Sequence, residues 1–141
     1  MFLLHSDTIR EDQLHFTSGG FVDISHYTRK ILVPTFMQYC SVKLHIPFSG
    51  NDTADSRSRI ILYFDNEPIA DESVYGPTHW VLVPMHIEGI QMNVEQGTHI
   101  IRLSACVNKG TLNIPHYNTG ADEVTKQPSI FGTYTVIGYP K

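Results

Sequence analysis

Charge is the scarcest property of this sequence. Asp, Glu, Lys and Arg make up 17% of its 141 residues, against roughly 25% in an ordinary soluble domain. That scarcity excludes a coiled coil and intrinsic disorder, both of which need more charge. The formal balance is −4 and the pI is near 6.0, so nothing points to a nucleic-acid surface. Cysteine is scarce too. Cys40 and Cys106 are too few for a disulfide framework. Both sit in apolar runs and read as buried free thiols; a single bridge in an oxidising compartment is the other reading. No apolar run approaches the ~18 residues of a membrane span. The opening segment, Met1 to Asp7, lacks the basic stretch and the apolar core of a signal peptide. The expectation is a chain made and assembled in a cytosol. The one sequon, at Asn51, carries little weight without a secretory signal.

What is present is alternation. Cys40, Val42, Leu44 and Ile46 fall on one face of residues 39–46, and Tyr39, Ser41, Lys43 and His45 on the other. This period of two marks a half-buried strand. Residues 59–64 form a short continuous apolar run, as a sandwich-core strand would. Asp65, Asn66 and Pro68 mark a turn, with the Asp and Asn side chains bonding their own backbone, and Ile69 begins a return strand. Residues 79–87 read as a strand in which Pro84 demands an edge or a bulge. Residues 99–107 and 111–114 read as a hairpin about Asn108, Lys109 and Gly110. Residues 131–139, rich in Thr, Tyr and Val, read as the closing strand. Two shorter strands are expected at 20–24 and 31–34. Residues 49–58, 71–78 and 116–128 read as loops, and no stretch shows a period of 3.6.

About eight strands at this spacing predict an all-β fold without substantial helix: an antiparallel β-sandwich, or jelly roll. The whole chain, 1–141, reads as one domain, with 1–19 as an extended N-terminal arm.

Catalytic signatures are few. His5, His15, His26, His45, His79, His86, His99 and His116 are spread almost evenly, with no His-x-His pair. His79 and His86, seven apart, face opposite ways in an unbroken strand. They read as surface and rim histidines without a metal, and a site assembled in three dimensions is the competing reading. There is no Gly-x-Ser-x-Gly elbow and no glycine-rich phosphate loop. The acidic residues cluster in expected turns and lack EF-hand spacing. No cofactor is called for. Aromatic residues are the better lead. Exposed rings on a sheet either stack on sugars or fill subunit interfaces. Tyr63 and Trp80 are the candidate ligand-stacking residues.

Three segments carry a family resemblance. Ile31 to Pro34 leads into the alternating strand 39–46. Ile60 to Asn66 is followed by Gly97 to Leu103. Phe131 to Tyr139 closes the chain. In that order they resemble the jelly-roll heads of the complement-component-one-q and tumour-necrosis-factor superfamily, and the trimeric heads of viral and phage fibres that share the fold. The resemblance covers about a third of the chain. It implies a homotrimer in which closing strands and aromatics pack about a threefold axis, with Tyr39, Tyr134 and Tyr139 at the interface and loops 49–58, 71–78 and 116–128 as contact surfaces. The sequence shows no collagen repeat, signal peptide or stalk, which favours a virion component over an extracellular one.

The expected function is a non-enzymatic structural and attachment module. It would self-assemble and bind a receptor, a glycan or a neighbouring virion protein, with no nucleic acid and no membrane insertion. The alternatives are a carbohydrate-binding module using Tyr63 or Trp80, and a small metal-dependent enzyme of double-sheet type using several histidines.

Overall fold

A computed structural model describes residues 1–9, 14–16, 20–51, 53–76, 83–114 and 132–141. They form β1 (Phe2–Ile9), β2 (Leu14–Phe16), β3 (Val22–Asp23), β4 (Arg29–Val33), β5 (Met37–Asn51), β6 (Ser56–Phe64), β7 (Glu67–Gly76), β8 (Val83–Val94), β9 (Gly97–Val107), β10 (Leu112–Ile114) and β11 (Gly132–Tyr139). The one helical element among the described residues is a 3₁₀ turn, Ser25–Tyr27.

The eight longer strands pair in nested order: β1 with β11, β4 with β9, β5 with β8 and β6 with β7, all antiparallel. That is one long hairpin. Two further pairings, β11 with β5 and β9 with β6, roll it into two sheets, β1-β11-β5-β8 and β4-β9-β6-β7. The result is a jelly roll, the all-β antiparallel sandwich that the alternation predicts. β2 and β10 extend the first sheet at the far end of β5, and β3 joins β9 beside β4. Residues 1–19, expected as an arm, supply β1 at the sheet edge and β2 beside β10.

The core lies between the sheets and follows the period-two pattern. Cys40, Val42, Leu44 and Ile46 on β5 meet Ile60, Leu62 and Phe64 on β6, with Ile101, Leu103, Tyr134 and Val136, and all are buried. Pro84 lies in β8, an edge strand among the described residues because its ladder runs to β5 alone. It also falls where the β5–β8 register shifts, between Ile46 and Ser49, so the edge and the bulge expected of a proline in a strand coincide.

Three sequence expectations are corrected. Residues 99–107 and 111–114 do not form a hairpin: β10 pairs with β5 and β2 in the other sheet. The turn at 108–110, with Gly110 at φ 74, crosses between sheets instead, held where the Asn108 N–H donates to the Arg57 carbonyl and the Asn108 Oδ1 accepts from the Arg57 N–H. Residues 71–76 are not loop but the rest of β7. Residues 49–51 and 56–58 belong to β5 and β6, leaving a short turn with Asp55 at φ 62. Asn51 is buried and its amide is engaged at both ends, with Nδ2 donating to the Lys109 carbonyl and Oδ1 accepting from the Thr53 N–H. Loop 116–128 lies outside the described residues.

Candidate functional site

The outer face of the first sheet can be followed row by row from its register. Leu3, Ile137, Ser41 and Ile90 form one row across β1, β11, β5 and β8; Tyr139, Tyr39 and Met92 form the next. These outward positions alternate with the buried ones, as a pleated strand requires. The two rows hold no charged residue. Leu3 is 66% exposed, Ile90 53% and Met92 52%, so this end of the sheet shows water an uncharged, largely apolar strip interrupted by Ser41. The Tyr39 and Tyr139 rings stack in its middle, with centroids 4.4 Å apart and planes 17° from parallel. Stacking orders two large amphipathic side chains against each other before any partner arrives, which lowers the entropy lost on contact.

The same face changes character along the strands. The next rows are Ser6, Thr135, Lys43 and Glu88, then Thr8, Thr133, His45 and His86. Glu88 lies 3.9 Å from both Lys43 and His86. His45 and His86 are cross-strand neighbours with ring centroids 6.0 Å apart. No local pattern announces this pairing, because β5 and β8 lie far apart in the chain. An apolar end grades into a polar, charged one.

The other predicted site residues are dispersed. Tyr134, expected at an interface, is fully buried: its position alternates inward on β11, and its hydroxyl donates to the Tyr27 carbonyl at 2.6 Å. Desolvation pushes its ionisation far above the ordinary phenol range. Tyr63 faces outward on the second sheet, but the Arg102 guanidinium lies 3.9 Å from its ring centre. Arg102 is in turn bonded to Asp23 at 2.8 Å. One face of the expected sugar platform is therefore already covered. Trp80 lies outside the described residues, as do His79 and His116.

The histidines that are described do separate work. His5 pairs with Asp7 at 2.5 Å, and Asp7 also accepts from Arg29 at 3.0 Å. His99 Nδ1 donates to the Asp65 carboxylate at 2.7 Å, and its other ring nitrogen lies 2.8 Å from the Glu95 carbonyl. Among the described residues, no three His, Cys, Asp or Glu side chains converge in a way that could hold a metal ion. Both cysteines are free, Cys40 buried and Cys106 partly exposed. Burial pushes the Cys40 thiol up to about 11.

No protein-family model matches the chain. No curated protein matches it either. Solved structures do. The VP2 subviral particle of infectious bursal disease virus aligns at a TM-score of 0.52 and 13% identity, over 94% of this chain and 35% of that one. Eiger TNF from S. frugiperda aligns at 0.43 and 11% identity, over 99% of this chain and 96% of that one. The carbohydrate-binding module CBM6cm-2 of Cellvibrio mixtus lichenase 5A, solved with cellotriose, aligns at 0.39 and 9%, over 96% of this chain and 97% of that one. The VP2 likeness is one of fold, over about a third of the VP2 chain.

Proposed function

We propose that this chain is a non-catalytic structural module that self-assembles, as a trimer, through the apolar end of its first sheet. Assembled in this way it would present the ends of the sandwich to a receptor or a neighbouring virion protein. The observation that carries the reading is the uncharged strip of Leu3, Ile137, Tyr39, Tyr139, Ile90 and Met92. A largely apolar, uncharged surface bordered by polar rows is what a subunit interface presents when its partner is removed. The strip is centred on two stacked tyrosines, a residue type enriched at interface anchors. Its occupant is a second copy of the chain. The scarcity of charge in the whole sequence fits a domain that keeps part of its surface covered. VP2 supplies the likeness of fold, and the surface supplies the argument for assembly.

The test is the mass in solution. A trimer would weigh about three times 16.0 kDa at micromolar concentration. Met92→Glu or Ile90→Glu is expected to return the protein to monomer with its far-ultraviolet spectrum intact, because both side chains are already in water in the lone subunit. A wild-type monomer at that concentration overturns the proposal; a stable dimer keeps the surface and removes the trimer.

A further inference from the structure

The outer face of the second sheet carries a groove of about 530 Å³, within the range of small-molecule sites. Its lining includes Arg57, Arg59, Ser73, Tyr75, Cys106 and Asn108. The register explains their meeting. Arg57 stands opposite Tyr75 of β7, and Arg59 lies between Ser73 of β7 and Cys106 of β9. Val74 and Val107 stand in the Ser58 row and face the core, so the less polar part of the lining is the Cys106 side chain and the aliphatic stem of Arg59.

The arginines around this sheet are not equivalent. Arg29, Arg59 and Arg102 each hold a carboxylate, of Asp7, Asp71 and Asp23 respectively. Arg57 forms no ion pair among the described residues; its guanidinium lies over the Tyr75 ring, 4.7 Å from the centroid. Its guanidinium N–H donors are left without a carboxylate partner among the described residues, and such a fork can receive a planar carboxylate through two bonds. The acids bonded to the lining are already engaged. Asp71 accepts both bonds from Arg59, and Asp55 accepts the Tyr75 hydroxyl. What remains is one cation without a carboxylate partner, beside Cys106 and the Arg59 stem, with the hydroxyl of Ser73 and the Asn108 side chain, whose Oδ1 already accepts the Arg57 main-chain N–H, on the same lining.

We propose that this groove binds a carboxylate-bearing sugar unit. The carboxylate sits on Arg57, the C–H faces of the ring lie on the Arg59 stem and the Cys106 side chain, and ring hydroxyls bond to Ser73 and Asn108. A neutral sugar lacks the first contact, and a bare anion lacks the others. The groove is on the opposite sheet from the assembly strip, so the two surfaces act independently.

Cys106 supplies a reporter inside the groove. Its alkylation by iodoacetamide, followed by mass spectrometry, is measured with glucuronate, glucose and N-acetylaspartate as probes. Glucuronate is expected to slow alkylation saturably and glucose to leave it unchanged. Arg57→Gln is expected to weaken the glucuronate effect about tenfold or more, the loss of a charge-assisted bidentate contact. Arg57→Lys, which keeps the charge but not the fork, is expected to fall between. Equal protection by glucose, no saturable protection by glucuronate, or an Arg57→Gln protein that binds as well as wild type overturns the proposal. Equal protection by N-acetylaspartate overturns the sugar and makes the groove a site for acidic side chains.

Discussion

Tyr134 donates its phenolic hydrogen to the main-chain carbonyl of Tyr27 across 2.6 Å, inside the core. The bond ties the closing strand β11 to the 3₁₀ turn that precedes β4. The hydroxyl of Tyr27 itself is buried and has no partner among the described residues. The two rings are similarly buried, yet their hydroxyls have opposite value. Tyr134→Phe is expected to lower stability by roughly 1–3 kcal/mol, since it strands a buried carbonyl. Tyr27→Phe removes an unsatisfied group and is expected to be neutral or stabilising. Urea midpoints of the two variants decide this; an equal loss in both contradicts the assignment.

Gly89 is fixed by close approach between the sheets. A Cβ there would meet the Ile69 carbonyl oxygen at 2.6 Å, so β7 could not stay where it is. At Gly138 the nearest atoms are the side-chain ends of Leu4 and Met37, both at 2.9 Å. Gly89→Ala is expected to cost about 1–3 kcal/mol, and Gly138→Ala less, because flexible side chains can move aside and a carbonyl in a strand cannot. Denaturant titration of both proteins checks the order.

The fold was legible where one face of a strand is buried and the other is wet. Cys40 to Ile46 announces β5 by alternation alone. Only the start of β7, at Ile69, is legible; residues 71–76 read as loop because β7 is an edge strand, with Glu72 and Ser73 both exposed, so no contrast between faces marks them. The start of β6 was hidden differently. Ser56 and Ser58 point inward and Arg57 and Arg59 outward, a period-two pattern written in polar residues that reads as a turn. Tyr39 and Tyr139 could each be named as interface candidates, but their stacking depends on β5 pairing with β11 across most of the chain. The same holds for His45 and His86, which meet only through the β5–β8 ladder. Tyr134 was misplaced because an aromatic in a closing strand carries no sign of which face it takes until the register is known.

The turn after β6 is pinned by chemistry rather than by its own backbone. Asp65, at φ 55, accepts the Ile100 N–H at 2.9 Å and pairs with His99 at 2.7 Å. Burial alone would lower the His99 ionisation, but the bonds to Asp65 and the Glu95 carbonyl outweigh it and raise it. A raised folded-state value means that the protonated pair stabilises the protein below the unfolded histidine value near 6.5, and that this support fades as pH climbs through the folded value. Asp65→Asn keeps a residue type that tolerates the left-handed turn. Its deficit relative to wild type is expected to be largest at about pH 5.5 and smaller at about pH 8.5. A deficit that grows with pH contradicts the sign.

The two thiols should be chemically distinct. Cys40 is fully buried on the inner face of β5, and desolvation holds its thiol up at about 11. Cys106 sits on the outer face of β9, partly exposed and on the lining of the groove. Reactivity follows the thiolate and its access. Native protein is therefore expected to take one iodoacetamide label, at Cys106, and denatured protein two. Assembly through the first sheet should leave the Cys106 rate unchanged, because that strip lies on the other side of the sandwich. Concentration-dependent protection of Cys106 with no ligand present would instead place a subunit contact over the groove, and the two faces of the sandwich would exchange roles.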